Sequence, residues 1–139
     1  MPSGRVLGLD LGTRRIGVAV SAGTIATPHS VLERSRDRAT DHAAIAALVD
    51  EVGAERVVVG LPLSLDGKMG PAATAAAEEA AALGDVLAVP VETYDERLTT
   101  VTADRSLSSL GLKGQARRRV VDKVAAAVIL QAWLDRTSS

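Results

Sequence analysis

The chain has 139 residues, the size of one ordinary domain, which allows one sizeable core and is too short for a two-domain enzyme that closes over its substrate. Apolar residues make up 47% of it, yet there is no Phe, one Trp and one Tyr, so the core must be built from Ala, Val, Leu and Ile, and a stacking platform for single-stranded bases is excluded. A formal net charge of −1 excludes a uniformly basic nucleic-acid coat, and the absence of Cys excludes disulfides, thiolate nucleophiles and Cys-based zinc sites.

Val6 to Val20 (VLGLDLGTRRIGVAV) opens as a strand, with Val6, Gly8 and Asp10 on one face and Leu7, Leu9 and Leu11 on the other. Gly12-Thr13-Arg14-Arg15 reads as a tight connection, and Ile16 to Val20 as a strand returning beside the first. Asp10 breaks the apolar pattern. A carboxylate buried there without partners costs roughly several kcal/mol. It needs a cation, a donor cluster or water, or it caps the turn that follows.

Thr24 to Glu33 reads as a third strand or an irregular arm, with Pro28 calling for an edge or a bulge. A polar connection, Ser35 to Asp41, leads into a helix marked by Ile45, Leu48, Val49 and Val52 and stopped by Gly53. Val57-Val58-Val59, ending at Gly60, reads as a strand buried on both faces, as in parallel pairing. Leu61 to Gly70 is a loop, and Pro71 to Leu83 an Ala-rich helix with Pro in its first turn. Leu87 to Thr93 is a further strand, with Tyr94-Asp95-Glu96-Arg97 at its C-terminal end. Thr99 or Thr100 can cap a helix that runs to Leu110 and stops at Gly111. A basic, glycine-containing segment, Lys113 to Arg119, precedes a final helix with Val121, Val124, Ala125, Val128 and Ala132 on one face, reaching about Asp135. The order predicts one α/β domain over residues 1–139: an antiparallel meander continued by parallel strands into a mixed five-stranded sheet, with helices packed on it.

Three acids stand out by context: Asp10 in the first strand, Glu96 after the last strand, and Asp122 in an apolar stretch of the final helix. Asp10 and Glu96 end strands that can be adjacent in the sheet, and the final helix can carry Asp122 over the same edge. Converging carboxylates repel unless a shared proton or a cation neutralises them. Mg²⁺ or Mn²⁺ suits oxygen donors, and two such ions about 4 Å apart would activate a water and stabilise the leaving oxygen of a phosphodiester. The rim favours the metal reading, since Arg14, Arg15 and Arg97 flank two of the acids, and Lys113, Arg117, Arg118, Arg119 and Lys123 flank Asp122. A plain solvated first helical turn is the alternative for the basic segment, although positive charge at a helix N-terminus is mildly unfavourable. Ser64, Asp66, Gly67 and Lys68 suit phosphate contact from a loop, or a plain connection. His29 and His42 read as ordinary surface histidines rather than metal ligands, and Trp133 as packing bulk.

Four blocks, GLDLGTRRIGVAVS at 8–21, VVGLPLSLDG at 58–67, DERLTT at 95–100 and VDKVAAAVILQAWL at 121–134, together resemble the YqgF (RuvX) family, whose members are called Holliday junction resolvases or pre-16S ribosomal RNA nucleases. The resemblance implies a single RNase H-like domain. It implies Asp10, Glu96 and Asp122 as catalytic and metal-binding acids, with Mg²⁺ or Mn²⁺ as cofactor. Thr13, Arg14, Arg15, Lys68, Arg97, Lys113, Arg117, Arg118 and Arg119 are then the candidate substrate-binding residues. Two positions depart from the family pattern: Ala22 follows Ser21 where Asp is frequent, and Leu65 stands where Met is common.

The expected partner is nucleic acid, either structured RNA at the 5′ end of 16S ribosomal RNA or a four-way DNA junction. The competing classes are a non-catalytic nucleic-acid-binding module and a nucleotide-binding lobe of the actin and sugar-kinase type, which needs two lobes to enclose ATP. A monomer or a homodimer is compatible with either substrate. Without a basic-then-apolar leader or an apolar run of spanning length, the expected setting is cytoplasmic, with no membrane partner.

Overall fold

A computed structural model describes residues 4–64, 66–98 and 114–137, with the backbone alone for residues 98 and 114–119. Alternation along β1 (Arg5–Leu11) sorts these residues into two layers. Leu7 and Leu9 enter a core with Ile45, Leu48 and Val49 of α1 (Arg38–Val52) and Ala80 and Leu83 of α2 (Pro71–Val86). Val6 enters a second core on the opposite face, with Ala126, Ile129 and Leu130 of α3 (Gly114–Thr137).

β1 pairs antiparallel with β2 (Arg15–Ala22), and β2 pairs antiparallel with β3 (Ile25–Glu33). On its other side β1 runs parallel to β4 (Ala54–Leu61), which runs parallel to β5 (Val91–Asp95). The sheet order is β3-β2-β1-β4-β5, the mixed five-stranded α/β arrangement expected from the sequence. Pro28 lies on the edge strand, and the register slips past His29, between the pairs Val18–Ser30 and Ala19–Pro28. A bulge on an edge strand is where a residue without an amide proton does least harm. Helix α1 starts where Asp37 accepts the Ala39 amide proton at 3.1 Å and ends at Gly53, whose φ is 70°.

Several expectations need correction. Leu87 to Pro90 is not strand. The Leu87 amide donates to Leu83 O at 2.8 Å, closing α2, which runs on to Val86. Pro90 accepts from the Val57 amide at 2.9 Å but has no proton to return to a ladder, so regular pairing begins at Val91. β1, which carries Asp10, and β5, which Glu96 follows, are not neighbours, because β4 lies between them.

The basic segment, as far as residues 114–119 go, forms the first turns of α3, the helical-turn alternative, and not a stretch preceding the helix. Its expected apolar face is also turned. Ala125, Ala126, Ile129, Leu130, Trp133 and Leu134 are buried, while Val121, Val124, Val128 and Ala132 are only half-buried. The cause is close packing of α3 backbone on glycines of the sheet. A Cβ on Gly17 would lie 2.0 Å from the Asp122 carbonyl oxygen, and one on Gly8 would lie 2.8 Å from Leu130 Cβ. Ala125 and Ala126 then face the sheet, with Ile129, Leu130 and Trp133 further along, and the valines lie to the sides. Trp133 is packing bulk as expected, its indole N–H donating to the Glu92 carboxylate.

The expected helix from Thr99 or Thr100 to Leu110, its stop at Gly111 and Lys113 lie outside the described residues. Among the described residues no helix is long and apolar enough to cross a membrane.

Gly17→Ala tests the close approach. It should lower stability by about 2 kcal/mol or more, as overpacking at a site bounded by backbone does. Gly84→Ala, on the exposed side of α2 with open space around it, should raise stability by about 0.5–1 kcal/mol. Urea denaturation reads both.

Candidate active site

Side-chain parity brings the site together on the α3 face. Val6, Gly8 and Asp10 share that face of β1, as do Val58 and Gly60 on β4, and Tyr94 on β5. Leu9 pairs with Val59 and Gly60 with Tyr94, so the carboxyl ends of the three parallel strands lie along one edge. Asp10 stands near the end of β1, and Glu96 opens the 3-10 turn Glu96–Leu98 directly after β5. Asp122 reaches the same place from above, because α3 rests on Gly17, the register partner of Asp10.

Gly60 removes the obstacle that β4 would otherwise be. A Cβ there would lie 3.1 Å from Glu96 Oε2 and 2.5 Å from Ile129 Cδ1. With hydrogen in its place, the Glu96 carboxylate reaches over the intervening strand. Asp10, Glu96 and Asp122 thus line one cleft of about 450 Å³, walled also by the Gly12–Arg15 turn, Gly60 and Pro62. Asp10 is buried at 8% exposure. The Asp122 carboxylate accepts from Arg15 Nε at 2.6 Å. Among the described residues no three acidic or histidine side chains form a preassembled ligand cage. The acids surround an open cleft, and their donors are all carboxylate oxygens. That set suits Mg²⁺ or Mn²⁺, which keep several waters, better than zinc.

Of the expected substrate-binding residues, Thr13, Arg14 and Arg15 line this cleft, the first two exposed. Lys68 is exposed on the loop after β4, its ammonium 3.8 Å from Asp66. That loop is organised: Gly67 takes φ 85° and donates to Ser64 O at 2.8 Å. The Ser64 hydroxyl, with the Lys68 amide, holds the Asp66 carboxyl below its usual range. Arg97 ties loop to sheet, with Nη1 3.2 Å from the position of a Gly67 Cβ and Nη2 2.6 Å from Asp95. Its hydrogen bonds hold Asp95 below the usual carboxylate range. Lys113 and the side chains of Arg117, Arg118 and Arg119 lie outside what the structure describes; the backbone of 117–119 forms early turns of α3, before Asp122.

A second polar cluster was not expected. Arg34, just beyond β3, donates through Nη1 and Nη2 to both oxygens of Glu79 on α2, at 2.6 and 2.7 Å. His42 Nε2 on α1 is 2.9 Å from the same carboxylate, and Asp41 lies 3.7 Å from Arg34. The reading of His42 as a surface residue is therefore wrong: it is 4% exposed and bonded to buried Glu79, whereas His29 is exposed. Both members of the pair could have been found. His42 falls three residues before Ile45 on the apolar stripe of α1, and Glu79 falls three after Ala76 on that of α2. Arg34 also reaches the cleft wall. Its Nε donates to Gly12 O at 3.0 Å and its amide to Arg14 O at 2.8 Å, so the Gly12–Arg15 turn is clamped from behind. Burial pushes Glu79 up, but hydrogen bonds from Arg34 and His42 outweigh it and hold the carboxyl below its usual range. For Asp41 burial is likewise outweighed, by the Ser35 amide and Arg34.

The family model named RuvX and described as Holliday junction resolvase matches residues 4–136. A protein of Mycobacterium sp. strain KMS, named "Putative pre-16S rRNA nuclease", is 46% identical over 136 residues, covering 96% of this chain and 80% of that protein. A Myxococcus xanthus protein of the same name is 46% identical over 132 residues, covering 94% of this chain and 87% of its own length. Among solved structures, T. thermophilus RuvC in complex with Holliday junction substrate superposes with a TM-score of 0.62 at 19% identity, over 98% of this chain and 96% of that one. The likeness establishes the shared RNase H-like fold.

The buried cluster has a pH signature. Glu79 and Asp41 are depressed in the folded state, so their contribution is complete above the ordinary carboxylate range and is lost as pH falls through it. The urea midpoint should drop on acidification from about pH 5 to about pH 3. Glu79→Ala, which strands Arg34, should cost about 3 kcal/mol at neutral pH and flatten that acid slope.

Proposed function

This chain belongs to the RuvX (YqgF) family, and on that premise we propose that it is a nuclease that hydrolyses phosphodiester bonds with Mg²⁺ or Mn²⁺ and matures the 5′ end of 16S ribosomal RNA in the cytoplasm. The observation that carries the reading is the meeting of Asp10, Glu96 and Asp122, from three separate elements, in one arginine-rimmed cleft. Residues 1–139 act in this reading as one RNase H-like domain.

Asp10, Glu96 and Asp122 would hold the metal ions. Bound there, such ions supply a nucleophile at neutral pH and neutralise charge on the leaving oxygen. The protein's own contribution is placement. Thr13 and Arg14 on the turn would grip the sugar-phosphate backbone with charge-assisted bonds, joined from outside the cleft lining by Lys68 on the loop after β4 and Arg97 just after β5. Such contacts set register without reading bases, as recognition of structured RNA by shape requires. Lys113, Arg117, Arg118 and Arg119, whose side chains lie outside the described residues, would add to the same grip.

The description of the family model favours a second substrate, the four-way DNA junction. Symmetric cuts there would call for a twofold dimer, whereas trimming a single RNA end would not.

Labelled RNA spanning the 16S leader and a labelled four-way junction separate the readings. Each is incubated with wild type and Asp10→Asn, in Mg²⁺, in Mn²⁺ and with chelator. Metal-dependent RNA cutting that falls about 100-fold or more in Asp10→Asn is expected, a loss on the scale of removing a group that stabilises transition-state charge. Undiminished cutting by Asp10→Asn sinks the mechanism, and paired nicks in the junction alone transfer the assignment to DNA. Arg118→Ala should weaken binding alike across sequences and reduce the salt slope by about one.

A further inference from the structure

The bond between Arg15 and Asp122 takes up one acceptor position of a carboxylate that the proposed metal site uses. Arg15 Nε lies 2.6 Å from Asp122 Oδ2, with the two side chains 17% and 21% exposed. Their main chains are fixed: Arg15 is in register with Glu33 at the start of β2, and α3 is seated on Gly17. Separation of the pair therefore falls to the side chains, and the long, partly exposed arginine is the freer of the two. A divalent ion approaching Asp122 at Oδ2 meets both an oxygen that is already hydrogen-bonded and a positive charge. A phosphodiester entering the cleft offers that guanidinium an anion it matches in shape.

We propose that Arg15 is an exchangeable counter-ion, holding Asp122 until a substrate phosphate draws it away, so that nucleic acid and divalent metal bind cooperatively. The proposal rests on the reading of Asp122 as a metal ligand and adds an order to its use. Without substrate the cleft holds its ions weakly. With a phosphate on Arg15, Asp122 turns its full charge to the ions. Linkage makes the effect reciprocal: the factor by which RNA tightens metal is the factor by which metal tightens RNA.

Mn²⁺ titration by calorimetry tests this on the full chain, with and without a hydrolysis-resistant phosphorothioate RNA of the 16S leader. The proteins are wild type, Arg15→Gln, Arg15→Lys, Arg14→Gln and Asp122→Asn. Arg15→Gln should bind Mn²⁺ alone about tenfold more tightly than wild type, the scale of one charge-assisted hydrogen bond. Arg15→Lys, which keeps the charge without the planar fork, should fall between the two. Arg14→Gln removes the same charge from the exposed neighbouring position and should change Mn²⁺ affinity less than about threefold. RNA should tighten Mn²⁺ about fivefold or more in wild type and less than about twofold in Arg15→Gln.

Equal gains in Arg14→Gln and Arg15→Gln would reduce the effect to general charge and overturn the exchange. Unchanged RNA coupling in Arg15→Gln would overturn it too. If Asp122→Asn loses Mn²⁺ while Arg15→Gln gains nothing, the exchange alone fails. If Asp122→Asn binds Mn²⁺ as wild type does, or no variant binds it, the metal reading of Asp122 falls and the exchange with it.

Discussion

The candidate site depends on how closely α3 can approach the sheet. A helix packed through ordinary side chains sits about 8–10 Å from its neighbour, axis to axis. Here the Asp122 carbonyl occupies space that a Cβ on Gly17 would need, and Ala125 and Ala126 continue the seam with small side chains. The helix is held low over β1 and β2. That height lets a carboxylate on a helix and a carboxylate on a strand face the same cleft. Gly60 plays the corresponding part on the other side, making β4 low enough for Glu96 to reach across. Two missing β-carbons thus set the cleft's floor.

The cleft wall has a separate support. The Gly12–Arg15 turn is short and polar, and its own hydrogen bonds are few: the Gly12 amide donates to Asp10 O and Arg15 O. Its outer carbonyls are taken by Arg34. Arg34 is in turn held by Glu79, and Glu79 by His42, so helices on the far layer of the sheet brace a turn on the cleft side. A buried ionic cluster is a poor source of net stability compared with apolar packing, but it fixes geometry, because each partner admits few arrangements. At the back of a nuclease cleft, fixed geometry is the greater use.

Much of this was legible in the sequence. The hairpin, α1 and β4 follow local periodicity, and local periodicity survives folding unchanged. The three acids were distinguishable because each interrupts or terminates an apolar run, and the structure places all three on one cleft. Strand order was less accessible. That β4 separates β1 from β5 depends on where two helical crossovers lead, which no local pattern encodes. The turned face of α3 was hidden for a different reason: the helix is oriented by the contact of the Asp122 backbone with Gly17, a tertiary approach that no local pattern encodes. Glu79 and His42 were obscured by distance, since neither looks unusual until the other is beside it.

The positions of the acids along the chain also govern when the cleft can exist. Asp10 stands in β1 and Glu96 directly follows β5, but the third wall arrives with Asp122 on the last described helix, after every strand of the sheet. A chain emerging from the ribosome folds from its N-terminal side first. Until residues 114–137 have emerged and settled on Gly17, only two of the three acids are in place. A protein proposed to cut ribosomal RNA is made in contact with ribosomal RNA. The connectivity of this fold withholds the full set of three acids until synthesis has passed the last described helix, so the completion of the candidate cleft is written into the order of its elements.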